Sequence, residues 1–205
     1  MRDEFERQLA LLNEELTTMG GLIESAIANA VKALDGDEHS INKAYDYEKS
    51  IDNKEREIES LSLKLLLTQQ PVASDLRLIS AALKMITDME RIGDQAEDIV
   101  EIAATAKKKM LKKILMPIHY LWKGVEAFIK KDLLIAEEVS HNDDVVDALF
   151  EEIVNDLVDI IKKDEGTSEV LDMLMVAKYF ERIGDHAVNI AEWVQFSITG
   201  EHKRL

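Results

Sequence analysis

The sequence predicts an all-α protein built as two tandem three-helix bundles in pseudo-twofold relation, with six long helices. Three observations carry that expectation. Structure-breaking residues are sparse, with two Pro and eight Gly in 205 residues, in a chain rich in Ala, Leu, Ile, Glu and Lys. Apolar residues recur in alternating steps of three and four over long stretches, which is the period of a helix burying one stripe. A motif near the end of the first half also recurs near the end of the second.

The first stripe runs Phe5, Leu9, Leu12, Leu16, Met19, Ile23, Ala26, Ala30 without a slip, as one long helix. A polar turn follows at Asp35, Gly36, Asp37 and His39. Its lack of a Gly at the sixth position and a Glu at the twelfth makes it an ordinary turn rather than a calcium loop. The second stripe, Tyr47, Ile51, Ile58, Leu61, Leu65, is broken at Lys54 and predicts an antiparallel partner. Pro71 suits the first turn of a third helix, whose buried face is Ile79, Leu83, Ile86, Ile92, Ala96 and Ile99. Residues 1–106 form the first repeat. A basic connector spans 107–116, and its run Lys107, Lys108, Lys109, Lys112, Lys113 reads as a solvated helix terminus. The second repeat, 117–205, restarts after Pro117 with Ile118, Leu121, Trp122, Val125, Phe128 and Ile129. It continues with helices over about 136 to 163 and 168 to 199. Trp122 and Trp193 fall on apolar faces and read as core.

The duplication is visible by sliding the chain against itself. Residues 87–101 match residues 178–192 at 8 of 15 positions with an offset of 91, centred on Glu-Arg-Ile-Gly-Asp. Packing explains matching Ile; it does not explain a matching Glu, Arg and Asp. The middle helices align with an offset of 95, placing Glu48 and Asp52 over Asp143 and Asp147.

Charge narrows function. With 25 Lys and Arg against 41 Asp and Glu the net charge is −16, which opposes nucleic-acid binding. Cys is absent, so disulfides, Cys-ligated metals and thiol catalysis are excluded. The acidic start and the lack of a long apolar run predict a soluble, cytoplasmic protein, peripheral to a membrane at most.

Four pairs of carboxylates stand four residues apart: Glu48 and Asp52, Glu90 and Asp94, Asp143 and Asp147, Glu181 and Asp185. Each pair stacks on one helix face, where like charges repel. The stripes extend through Glu55, Glu59, Glu97 and Glu101 in the first half and are thinner in the second. If facing helices align them, an oxygen-only donor set suits hard or borderline divalent metals. A solvated acidic face is the alternative, and repetition favours metal. Gly93 and Gly184, inside their acidic pairs, leave room for a metal or for close helix contact. Other chemistries are poorly served. Only one Glu-x-x-His pair occurs, Glu138 with His141, where a di-iron bundle needs two. There is no glycine-rich phosphate loop or serine elbow. His39, His119, His141, His186 and His202 are scattered, and His186 stands out only because it adjoins Asp185.

The ordered set Gln70 to Arg77, Asp88 to Asp94, Phe180 to Glu192 and the closing Thr199-Gly200 resembles the PhoU family, accessory and regulatory proteins of phosphate-specific transport. The resemblance covers essentially the whole chain and implies two tandem three-helix bundles. It also implies multinuclear iron or zinc held by the motif that falls on Glu48, Asp52, Glu90, Asp94, Asp143, Asp147, Glu181 and Asp185. The second half departs from the first in having Ser168 where Arg77 stands, without the Pro-x-x-x-Asp-Leu-Arg element. The implied function is a non-enzymatic negative regulator that links the ATPase subunit of the phosphate ABC transporter with a sensor histidine kinase. A second copy of the chain is a further expected partner. Two other functions compete: a metal-dependent phosphohydrolase, and an accessory protein of a non-ABC phosphate carrier.

Overall fold

The computed structural model describes residues 2–69, 72–105, 132–141, 143–162 and 167–201, and these are helical almost throughout. Helices α1 (Arg2–Leu34), α2 (Glu38–Gln69) and α3 (Ala73–Thr105) pack mutually as the first bundle. In the second repeat α4 (Leu133–His141) and α5 (Asp143–Lys162) both pack on α6 (Thr167–Thr199). The basic connector, Trp122 and the helix expected over 118–129 lie outside the described residues, as does Pro71.

The predicted stripe of α1 is the core: Phe5, Leu12, Leu16, Met19, Ile23, Ala26 and Ala30 are buried, joined by Ile27. Each large aliphatic chain withdrawn from water contributes about 2 kcal/mol. Lys54, the break in the α2 stripe, turns out to be paired. Its Nζ lies 2.6 Å from both Glu15 on α1 and Glu57. These bonds, Glu15 first, hold its ammonium above the ordinary Lys range.

The α1–α2 turn shows why the sequence stops one helix and starts another. Gly36 adopts φ +90°, and the Asp37 N–H donates to the Lys32 carbonyl at 3.1 Å, closing α1. Asp37 then caps α2, accepting from Ser40 Oγ at 2.7 Å and the His39 N–H at 3.2 Å. Those bonds, Ser40 first, keep its carboxyl below the usual Asp range. Asp132 plays the same part for α4, accepting from the Leu134 and Ile135 N–H groups at 3.0 and 3.3 Å. Asp37 and Asp132 are 95 apart, the offset that aligns the middle helices. Segments α4 and α5 together are therefore the second repeat's counterpart of α2, and the cap starts it a turn earlier than its apolar pattern suggests. Gly36→Ala is expected to cost about 1 kcal/mol, because an L side chain is strained at positive φ. Thermal unfolding would measure it, and an unchanged midpoint would refute the strain.

The two repeats meet through α3 and α6, which run antiparallel. Gly200, at φ +80° just past the end of α6, stands against Arg77 near the start of α3. Midway, buried Asp88 on α3 lies 2.8 Å from His186 Nδ1 and accepts from Asn189 Nδ2 at 3.2 Å. Further along, Asp98 on α3 lies close to Tyr179 on α6, where its charge, after burial, pushes the phenol up. Applying the 91-residue offset turns Asp88 into Tyr179 and Asp98 into Asn189. The two cross-helix pairs are thus images of one another, which is the pseudo-twofold expressed in side chains. Trp193 is half-buried and meets Phe196 edge-to-face at 5.8 Å.

Candidate metal centre

Helices α2 and α3 are held close by the residue that interrupts each acidic motif. A Cβ on Gly93 would lie 2.8 Å from Ile51 Cδ1, and one on Gly184 would lie 3.1 Å from Val146 Cγ1. Of the two readings of these glycines, close helix contact is the one the structure supports. Ile51 immediately precedes Asp52, and Gly93 immediately precedes Asp94. The contact therefore draws the two acidic faces together.

The result is a convergence of Asp52 from α2 with Glu90 and Asp94 from α3, one oxygen of each lying within 4.8 Å of the others. Asp52 and Glu90 are half-buried and Asp94 stands at the solvent edge. Burial, then Asp94, Glu55 and Asp52, push the Glu90 carboxyl up to about 7. Asp94 is raised by burial and by Asp52. The same causes extend along the stripe: burial and then Asp52 raise Glu48 and Glu55, and burial and then Glu48 raise Glu97. Arg56 at 3.0 Å is an exposed counter-charge for Asp52.

Metal-free protein should consequently lose stability as pH rises. Glu90 titrates at about 7 folded against 4.5 for an unperturbed Glu. Its contribution is then fully present below 4.5 and is lost as pH climbs through 7. Allowing for solvent screening of a partly exposed group, the change is on the order of 1 kcal/mol. Thermal melts in chelator from pH 5 to pH 8 would show a falling midpoint that Glu90→Gln flattens, and a rising midpoint would contradict the assignment. Ligation needs the ionised forms, so metal affinity should move oppositely, strengthening with pH.

The donor set fits a hard or borderline divalent ion: oxygens only, from two rigid helices, with access from solvent. Asp52, Glu90 and Asp94 would hold it, with Glu48 one turn along α2 from Asp52. The second repeat is different. Glu181, buried to 13% side-chain exposure, is engaged by Lys178 Nζ at 2.5 Å. Asp147 and Asp185 are exposed, and the Asp143 side chain lies outside the described residues. Among the described residues, no group of three carboxylates comes together there. His186, singled out for adjoining Asp185, turns instead to Asp88 across the repeat boundary. Asp88 escaped sequence reasoning because its partners lie about a hundred residues away. The only signal was an acid at a position otherwise suited to the core.

Fold and site define a class: a duplicated helical bundle carrying an oxygen-rich acidic groove on rigid helices. Comparison with known proteins makes it specific. The sequence model of the PhoU domain matches residues 16–103 and again 121–194. The phosphate-specific transport system accessory protein PhoU homolog of Clostridium acetobutylicum is 34% identical, with 100% of this chain and 98% of that protein covered. The Escherichia coli phosphate-specific transport system accessory protein PhoU is 28% identical over 98% of this chain and 88% of its own length. The crystal structure of PhoU from Pseudomonas aeruginosa superposes with TM-score 0.87 at 31% identity, covering 96% of this chain and all of that one (100%). The regulatory PhoU of Streptococcus pneumoniae, at 22% identity and TM-score 0.89 over 98% of this chain and 100% of its own, shares the fold. The chain belongs to the PhoU family and carries that family's domain twice in tandem.

Proposed function

We propose that this protein is a cytoplasmic, non-enzymatic regulator of phosphate-specific transport. It represses the phosphate-starvation response by contacting the ATPase subunit of the phosphate ABC transporter and a sensor histidine kinase. The observation that supports this reading is relatedness along both repeats to proteins named as accessory to that transport system. No described helix is long and apolar enough to cross a membrane, so contact with the transporter would run through helix surfaces.

The acidic motifs are the metal sites of this reading: Glu48, Asp52, Glu90 and Asp94 in the first repeat, with Asp143, Asp147, Glu181 and Asp185 as their second-repeat counterparts. Iron or zinc is the ion the family resemblance implies. When bound, it supplies positive charge that offsets the crowded carboxylates and changes the field a partner meets. The carboxylates themselves bind, and the rigid α2–α3 contact orients them.

The experiment is co-purification of the ATPase subunit and the kinase with the full chain, beside output from a phosphate-starvation promoter in cells with and without it. Binding with repression is expected; unrepressed output and no capture would refute the adaptor. Turnover of a phosphate ester by zinc-loaded protein, abolished in the Glu90→Ala and Asp94→Ala double variant, would instead establish the phosphohydrolase.

A further inference from the structure

The two acidic motifs are alike in sequence but not in company. Lys178 sits one turn before Glu181 on α6, its Nζ 2.5 Å from Glu181 Oε2. The same ammonium lies 5.3 Å from the centre of the Phe150 ring of α5, a cation–π contact that holds the side chain in place. Glu181 opens onto an apolar crevice lined by Val146, Leu149, Phe150, Ala177 and Phe180, where water competes poorly for its charge. In the first repeat the position equivalent to Lys178 is Thr87, which carries no charge to offer Glu90.

We propose that Lys178 is a resident cation that occupies the second motif in place of a metal, so that the two repeats differ in metal occupancy. The proposal rests on the reading of the acidic motifs as metal sites and adds which of them is open. A tethered ammonium is always present at its carboxylate. A free ion must displace it, at a Glu181 whose motif partners Asp147 and Asp185 are exposed and do not gather with it into a group of three donors among the described residues. In the first motif the resident cation is Arg56, which reaches Asp52 from the solvent side and is itself 68% exposed, so it yields more readily and that motif binds first.

Titration of chelator-stripped full-length protein with Zn2+, followed by calorimetry and elemental analysis, tests this. Wild type should show one tight class of sites, removed by Glu90→Ala with Asp94→Ala. Lys178→Thr, which installs the first-repeat residue, should add a second class about tenfold tighter than anything wild type shows there. Lys178→Met, which keeps the packing over Phe150 but not the charge, should do the same, and Lys178→Arg should not. Adding Glu181→Gln to either neutral variant should remove the new class, with circular dichroism reporting helix content throughout. If wild type fills both repeats equally, or if the neutral variants bind as wild type does while the first class persists, the proposal is overturned. A wild-type class indifferent to Glu90→Ala and Asp94→Ala would instead overturn the underlying metal assignment.

Discussion

Replacing Glu90 and Asp94 together by Ala is expected to weaken Zn2+ binding by the first repeat at least ~100-fold while making the metal-free protein more stable. Groups that merely orient metal ligands cost up to about 100-fold when lost, and these two are donors themselves. Burial raises both carboxyls, Asp94 then raises Glu90 and Asp52 raises Asp94, so the apo protein bears a crowding of charge that the variant lacks. Ala is also the better helix former at both positions. The relief is about 1 kcal/mol after screening, or an unfolding midpoint higher by roughly 2–4 °C in chelator for a chain of this length. Opposite signs for binding and stability distinguish a ligand set from a structural ion pair. Zinc affinity equal to wild type would return the stripe to a solvated acidic face. If repression of the phosphate-starvation promoter fails in the same variant, metal and signalling are linked.

A second large effect is expected at Gly93. A leucine there must place four carbons where Ile51 already stands, and Ile51 is 1% exposed with no room to swing away. The cost should exceed about 3 kcal/mol, since overpacking alone takes 1–3 and α2 must also lift from α3. Gly93→Ala is a finer probe. It gains about 1 kcal/mol of helix propensity but drives a methyl to within 2.8 Å of Ile51 Cδ1 and 3.2 Å of Cγ2, so the net change should be destabilising. Gly184→Ala meets Val146 only at 3.1 Å, and a shift of a few tenths of an ångström lets propensity win, leaving stability near or above wild type. Denaturant melts of the three variants give the order, and a Gly93→Ala protein more stable than Gly184→Ala would show that the α2–α3 contact is looser than the distances indicate. Zinc affinity should fall with Gly93→Leu even though no ligand is touched.

Much of this architecture could be read from residues alone because helix periodicity is local. The Phe5 to Ala30 stripe, the Gly36 turn and the long final helix need only neighbours in sequence to declare themselves. The acidic convergence was half legible: spacing puts Asp52 on one face and Glu90 with Asp94 on another, but nothing local says that those faces meet. What brings them together is Gly93 against Ile51, a fit between side-chain volumes on different helices. Lys54 reads as a flaw in a stripe until Glu15 is seen across from it. Lys178 reads as an ordinary helix lysine until Phe150 and Glu181 define its surroundings. The start of α4 was missed because its boundary is set by the Asp132 cap and not by the apolar pattern.

The seam around Asp88 also bears on the order in which the molecule assembles. Its hydrogen bonds to His186 and Asn189 span 98 and 101 residues, whereas α1, α2 and α3 follow one another with only a few residues of sequence between them. Local closure is faster and entropically cheaper, so the first repeat should be folded while α6 is still unplaced. During that interval the face of α3 that later receives α6 is open to water. Asp88 and Gln95, seven residues apart on that face, keep it hydrated and discourage premature association with other nascent chains. Pulse-labelled amide exchange during refolding should then protect α1 and α2 before α6, and simultaneous protection would contradict this sequence of events. A polar patch buried in the finished protein is thus a solubilising surface for the unfinished one.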